Sequence, residues 1–194
     1  MSDHAPLRSP ETLDFLLARR SRPPKFLTAP GPDREELETL LTAALRVPDH
    51  GKLEPWRIVV LGPNSRAELA ATARETGPDL GQPEDKVEKG AAQFESPCTV
   101  VVIASPHSTD RIPEVEQTLS AGAVCVSLVN AALAAGWGAS WLTGWIAHDP
   151  RFAAPAYGLA DHEWVAGLIH IGTEKAAPPD RPRPDRDAKT EWRP

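Results

Sequence analysis

Only two cysteines occur in the 194 residues, Cys98 and Cys125, and both sit inside apolar runs. That is too few, and too embedded, for a disulfide framework, so both read as reduced core thiols. No His-Glu-x-x-His, no Cys-x-x-Cys and no histidine pair at ligand spacing is present, and His107, His148, His162 and His170 stand alone. The usual grounds for a metal site are missing. So are the Gly-x-Ser-x-Gly elbow and the Gly-x-x-x-x-Gly-Lys-Ser/Thr loop, which leaves serine-hydrolase and P-loop chemistry without support. Gly136-Trp137-Gly138 is a fragment of a dinucleotide fingerprint, but it follows its helix instead of preceding it, and the Rossmann order fails. No run reaches the ~18 uninterrupted apolar residues of a membrane span, and the N-terminal segment, with Asp3 and His4, has no apolar h-region. The expectations are no membrane, no signal peptide and a cytoplasmic location. A net charge of −6 argues against nucleic acid as the main partner. There is no internal repeat.

What the chain does have is a long stretch of small and aliphatic residues from Glu116 to Gly144. Its first part, free of proline and closed by Gly136, predicts one long helix with apolar residues on nearly every side, including Leu119, Val124, Val126, Leu128, Val129 and Leu133. A helix covered all round belongs in a core or an interface. After it, Trp137 to Gly144 alternates bulky and very small residues, the pattern of a strand against which another backbone or a flat group comes close.

Around this stretch, Ser9-Pro10-Glu11 opens a first helix with Leu13, Leu16 and Leu17 as its buried stripe. It ends at Arg19-Arg20-Ser21, because Pro23 and Pro24 prevent continuation. These arginines either complement the helix dipole or form an anion clamp with the hydroxyl. Asp33 and Glu36 open a second helix, with Leu37, Leu40, Leu41, Ala44 and Leu45 apolar, closed by Pro48. Arg46 and His50 then stand at a loop mouth before a strand of Ile58 to Leu61; His50 is either a ligand contact or a surface cap. A third helix capped by Asn64 or Ser65 runs to about Gly77, and a charged excursion from Pro78 to Gln93 holds at most one short helix. Cys98–Ser105 predicts a strand buried on both faces, Asp149-Pro150 opens a helix to Tyr157, and Trp164–Gly172 supplies the last strand. The order predicts a single α+β domain over residues 1–194, a three-layer sandwich with about four central strands. Residues 176–194 form a proline-rich arm carrying Trp192, expected to lie over a partner subunit.

Four motifs occur in one order: Arg19-Arg20-Ser21, then Arg46-Val47-Pro48-Asp49-His50 with Pro55-Trp56, then Ser120-Ala121-Gly122 opening a helix that ends Gly136-Trp137-Gly138-Ala139-Ser140-Trp141, then Gly167 to Thr173. In order and spacing this set resembles the nitroreductase family, most of all its compact NAD(P)H nitroreductase branch, and it spans residues 11 to 173. The resemblance implies a nitroreductase-like sandwich with a mainly antiparallel sheet of four to five strands. It also implies a homodimer joined along its long helices, with FMN at the interface. NAD(P)H is the implied co-substrate and a flat nitroaromatic or quinone the implied electron acceptor. No catalytic acid or base is implied, since the flavin carries the redox chemistry.

Position by position, Arg19, Arg20 and Ser21 match the family's flavin-contacting helix exit. Arg46 and His50 match contacts from the loop after the second helix, which in some relatives reach the flavin of the other subunit. Trp141, Leu142 and Thr143 match the strand segment along the flavin. Ala131, Ala132, Leu133, Ala134, Ala135 and Gly136 match a stretch associated with the nicotinamide nucleotide. Two positions depart from the pattern: Leu142 stands where relatives tend to carry arginine, and Gly51, followed by Lys52, where a basic residue is expected. Within the resemblance, an oxidoreductase and a non-catalytic flavin-binding scaffold both stay open, as do flavin fragmentation and dehalogenation.

Overall fold

A strand that can be buried on both faces must have helices on both, and β5 (Trp164–Glu174) and β3 (Cys98–Ala104) meet that condition. In this computed structural model, which describes residues 8–193, all seven residues of β3 are buried. β3 pairs antiparallel with one edge of β5, from Cys98 opposite Ile171 to Ala104 opposite Trp164, and β2 (Trp56–Leu61) lies outside β3. The other edge of β5 carries β4 (Gly138–Leu142), with Gly138 opposite Gly172 and Leu142 opposite Leu168. The two residues of β1 (Leu27–Thr28) pair antiparallel with the end of β5, Leu27 opposite Glu174 and Thr28 opposite Thr173. All pairings are antiparallel, as expected.

One face of the sheet is covered by α2 (Arg34–Ala44) and α5 (Glu114–Ala134), which pack Leu40, Val124 and Leu128 against Val100, Val102 and Ile169. The other is covered by α3 (Pro63–Thr76), α4 (Glu84–Ala91), α6 (Trp145–His148) and α7 (Pro150–Tyr157), which pack Ala73, Ala91, Ile146 and Phe152 around Val101, Ile103 and Leu168. The three-layer α+β sandwich is therefore present. α2 has the expected capping box between Asp33 and Glu36. α5 stops at Ala134, and Gly136, at φ +88°, takes the left-handed conformation just beyond the cap.

Several expectations need correction. In α1 (Pro10–Ala18) the Ser9 cap holds, but Leu13, Leu16 and Leu17 are 59%, 49% and 72% exposed, because nothing among the described residues packs on that face. α5 is not buried all round: Val115, Leu119 and Val126 recur at helical spacing and point away from the sheet, Leu119 being 68% exposed. Neither Asn64 nor Ser65 caps α3, which starts at Pro63 with Gly62 as N-cap, the proline supplying the first helical φ. The excursion before β3 is only half solvated, since α4 buries Val87, Gly90 and Ala91. The sequence reading also lacks the two-residue β1 and the four-residue α6. Residues 176–193 are extended and largely exposed apart from one turn at Asp187–Lys189, and Trp192 is exposed. Both cysteines are buried and unpaired, and burial pushes their thiols up to about 11 and about 12. Asp3 and His4 lie outside the described residues.

An ion pair ties β2 to the loop before β5: Arg57 donates from Nε and Nη2 to the two Glu163 oxygens at 2.8 and 2.7 Å, and from Nη2 to Gly158 O at 2.7 Å. Hydrogen bonding to this guanidinium holds the Glu163 carboxyl down at about 2. Its folded pKa is thus below the unfolded value of ~4.3, so the pair stabilises above that pH and its contribution vanishes as pH falls through about 2. Urea unfolding of Glu163→Gln is expected to show lower stability than wild type at neutral pH and a smaller further loss on acidification.

Candidate functional site

The exit of α1 is stapled to the sheet edge by its backbone. Arg22 N donates to Ala139 O of β4 at 2.7 Å, and Arg22 Nη1 donates to Arg20 O at 3.2 Å. Arg22 Nε lies 2.8 Å from Glu174 Oε2, a charge contact in which the N–H is not aimed along the line to the oxygen. Arg19 Nη2 donates to Ser21 Oγ at 3.3 Å. Neither Arg19 nor Arg20 hydrogen bonds to the last carbonyls of α1 through its side chain. Arg19 Nε and Arg20 Nη1 are buried without a hydrogen-bond partner, and the nearest acid to Arg20, Asp180, is 3.9 Å away. Burial, then the charges of Arg183 and Arg22, lower the Arg19 pKa. Cations crowded together with unfilled donors are short of an anion.

The chain beyond them, at Pro23-Pro24, enters the wall of a cleft of about 600 Å³ on the face of the sheet opposite α5, bounded also by the segment after α4 and the end of β4, and neither Arg19 nor Arg20 is part of its lining. Leu142 and Thr143 line it, as do Gln93 and three lysines, Lys25, Lys89 and Lys175. The sequence reading missed all four of these polar residues. Lys25 directly after Pro-Pro and Lys175 at the end of the last strand were the available signals, whereas Lys89 and Gln93 sit in a charged segment with none. These lysines supply positive charge that Leu142 does not.

Trp141, one residue earlier on the pleat, faces the α5 side. Its Nε1 donates to Ala166 O at 3.1 Å, and its ring lies over Gly167, where an added Cβ would fall 2.1 Å from Nε1. The expected unit of Trp141, Leu142 and Thr143 is thus divided between two faces. Ala131 to Gly136 form the end of α5 and its turn, outside the cleft lining. Ala132 is wholly buried and cannot touch a ligand, while Ala134, Ala135 and Gly136 are exposed.

Arg46 and His50 are docked elsewhere. His50 Nδ1 lies 2.6 Å from Glu116 Oε2 in the first turn of α5, and Ser120 Oγ accepts from Trp56 Nε1 at 3.1 Å while donating to Pro48 O at 2.8 Å. Arg46 is exposed and makes no side-chain hydrogen bond to the described residues. Gly51 has φ +73°, and a Cβ there would lie 2.5 Å from Ile112 Cδ1, so a basic residue at this position is strained and must displace the end of that side chain. Among the described residues no hydrogen bond or ion pair joins this group to Arg19 and Arg20, and one chain does not assemble the two.

The sequence profile of the nitroreductase family matches residues 16–173. The chain belongs to the nitroreductase family. A Haemophilus influenzae protein named "Putative NAD(P)H nitroreductase" is 34% identical over 171 residues, covering 86% of this chain and 91% of that one. The Escherichia coli K12 protein named "Putative NAD(P)H nitroreductase YdjA" is 29% identical over 164 residues, covering 84% and 88%. Among solved structures, a nitroreductase-like family protein from Bacillus cereus superposes with TM-score 0.76 at 21% identity over 97% of this chain and 98% of that one. A Bacteroides fragilis nitroreductase with bound FMN gives TM-score 0.73 at 17% identity over 95% and 100%. These structural likenesses bear on the fold, and the nitroreductase fold is the one observed. Family membership places the chain among oxidoreductases.

The seat of Trp141 on Gly167 is testable. Gly167→Ala is expected to cost about 1–3 kcal/mol of stability in urea unfolding and to change the tryptophan emission, because the ring must leave its place above β5.

Proposed function

We propose that this nitroreductase binds FMN and moves electrons from NAD(P)H to a flat acceptor of the nitroaromatic or quinone type. One observation carries the reading: in a chain of this family, Arg19 and Arg20, with buried nitrogens that have no hydrogen-bond partner among the described residues, sit on the segment that runs on through Pro23 and Pro24 into the wall of a cleft ending at Leu142 and Thr143. Charge-assisted hydrogen bonds from two guanidinium groups fit a phosphate, and the hydroxyl of Ser21 adds a neutral donor. Lys25 and Lys175 add charge to the same mouth, and Leu142 with Pro23 and Pro24 gives the apolar walls that a planar ring requires. Bound FMN supplies the redox chemistry, taking hydride from NAD(P)H and passing electrons to the acceptor. The protein's part is to hold the phosphate, fix the ring and admit donor and acceptor in turn, so no side chain acts as an acid or base.

The same reading includes a homodimer. The apolar faces of α1 and α5 have no cover among the described residues, and a second copy is the proposed occupant. Such a pairing along α5 brings Arg46 and His50 of one protomer toward the cleft of its partner. A cytoplasmic location goes with the use of NAD(P)H.

Purified protein is expected to be yellow, to bleach with NADPH and to recover its colour with a nitroaromatic. A yellow protein that does not bleach instead supports a flavin-binding scaffold without turnover, and one that stays colourless with added FMN rejects both. Arg20→Ala is expected to weaken FMN binding at least tenfold, about 1.4 kcal/mol, in a fluorescence titration with the fold retained. Leu119→Glu is expected to convert a dimer to a monomer in sedimentation, by placing a charge on the covered face.

A further inference from the structure

A polar chain crosses the inside of the sheet and ends at the cleft. Thr99 and His170 are opposite each other in the β3–β5 ladder and both are wholly buried. Thr99 Oγ1 is 3.4 Å from His170 Nδ1, and His170 Nε2 is 3.3 Å from Gln93 Oε1. Gln93 Nε2 donates to the Thr143 carbonyl at 3.0 Å. That last contact sets the polarity of the whole chain. A backbone carbonyl only accepts, so the amide atom facing it is nitrogen, and Oε1 faces the histidine. His170 Nε2 therefore carries the hydrogen, Nδ1 is bare, and the Thr99 hydroxyl donates to it. Burial pushes the imidazole down to about 3, which keeps it neutral and the direction of the chain constant.

The Gln93 amide nitrogen has two hydrogens, and Thr143 takes one. The other has no partner among the described residues, and Gln93 lines the cleft together with Leu142 and Thr143. Beyond Thr143 the chain turns away through Gly144 at φ +130°, a conformation that side chains other than glycine rarely adopt.

We infer that Gln93 is a ligand-binding residue that offers its second amide hydrogen to an acceptor oxygen on the flat ligand of the cleft. His170 and Thr99 are positioning residues that prevent the amide from turning over. This inference rests on the flavin reading given above. The acceptor is a carbonyl or nitro oxygen on an electron-poor ring, supplied by the flavin or by the accepting substrate. A locked amide discriminates in favour of such a ring, because a ligand that covers the donor without offering an acceptor leaves it unpaired at a cost.

The test uses the full chain. Long-range proton–nitrogen spectra of histidine-labelled wild type are expected to show His170 protonated on Nε2, unmoved from about pH 5 to about pH 9; the Nδ1-protonated form overturns the locked polarity. Gln93→Leu removes both amide hydrogens, and Gln93→Glu keeps the shape while removing the donor should the first variant not fold. Either is expected to weaken FMN binding about tenfold if the flavin is the ligand, or to raise KM for a quinone about tenfold at saturating FMN, with less change in kcat, if the substrate is. His170→Phe, which touches nothing in the cleft, is expected to move the same constant in the same direction. A change confined to melting temperature marks a structural role and overturns the inference, as does a Gln93 variant with both constants within about twofold of wild type. Wild-type protein that takes up no FMN overturns the flavin reading and this inference together, which separates the two kinds of failure.

Discussion

The candidate site depends on two glycines facing each other across the β4–β5 ladder. Gly138 and Gly172 are directly opposed. A Cβ on the first would lie 2.6 Å from Leu27 Cδ2, and one on the second 2.8 Å from Pro97 Cγ. Without side chains there, β1 and the segment after α1 can lie against the sheet edge, and Arg22 N reaches Ala139 O. The arginines are therefore carried to the site by backbone hydrogen bonds, which hold their Cα positions more firmly than long side chains could hold themselves. Wherever a functional cation must be poised for an absent anion, this is the cheaper way to place it.

The location of the cleft follows from how the layers close. α2 and α5 seal one face of the sheet, and the four helices α3, α4, α6 and α7 seal the other. A cleft opens where β4 ends, and Lys25, Lys89, Lys175 and Gln93 border it. A chain with a net charge of −6 thus places three lysines and one glutamate, Glu95, at one mouth, with Lys89 paired to Asp85 at 2.9 Å, a local excess of positive charge that the overall balance conceals. The polar chain from Thr99 through His170 and Gln93 reaches that mouth from within the core, and its neutrality is a consequence of the same burial that builds the core.

The two groups of residues that the family resemblance links to flavin are docked on different parts of the scaffold. His50 is held by Glu116 at the start of α5, and Arg19, Arg20 and Ser21 by the edge of β4. Both α1 and α5 meanwhile present apolar stripes that the described residues leave uncovered. A second copy as occupant accounts for both facts at once, which is why the proposed function is inseparable from the proposed dimer.

Much of this was legible in the residues. The unbroken apolar run of β3, the Asp33–Glu36 capping box, the Ser9 cap and the stop at Gly136 are local signals, decided by steric fit and hydrogen bonding within a few residues, and each appears where the sequence places it. The Arg19-Arg20-Ser21 motif was legible for the same reason, as two prolines just beyond it end the helix. What no local signal carries is which side of an element meets a partner. Periodicity names the stripe of Leu13, Leu16 and Leu17 but not whether anything lies opposite, and the fold leaves it open. Nor can spacing show that His170, Gln93 and Thr143 touch, since they are 77 and 50 residues apart along the chain. The sequence determined most of the elements, the Ser9 and Asp33 caps and the family; only the tertiary structure decided which side chains share the cleft, because that depends on packing between residues distant in the chain.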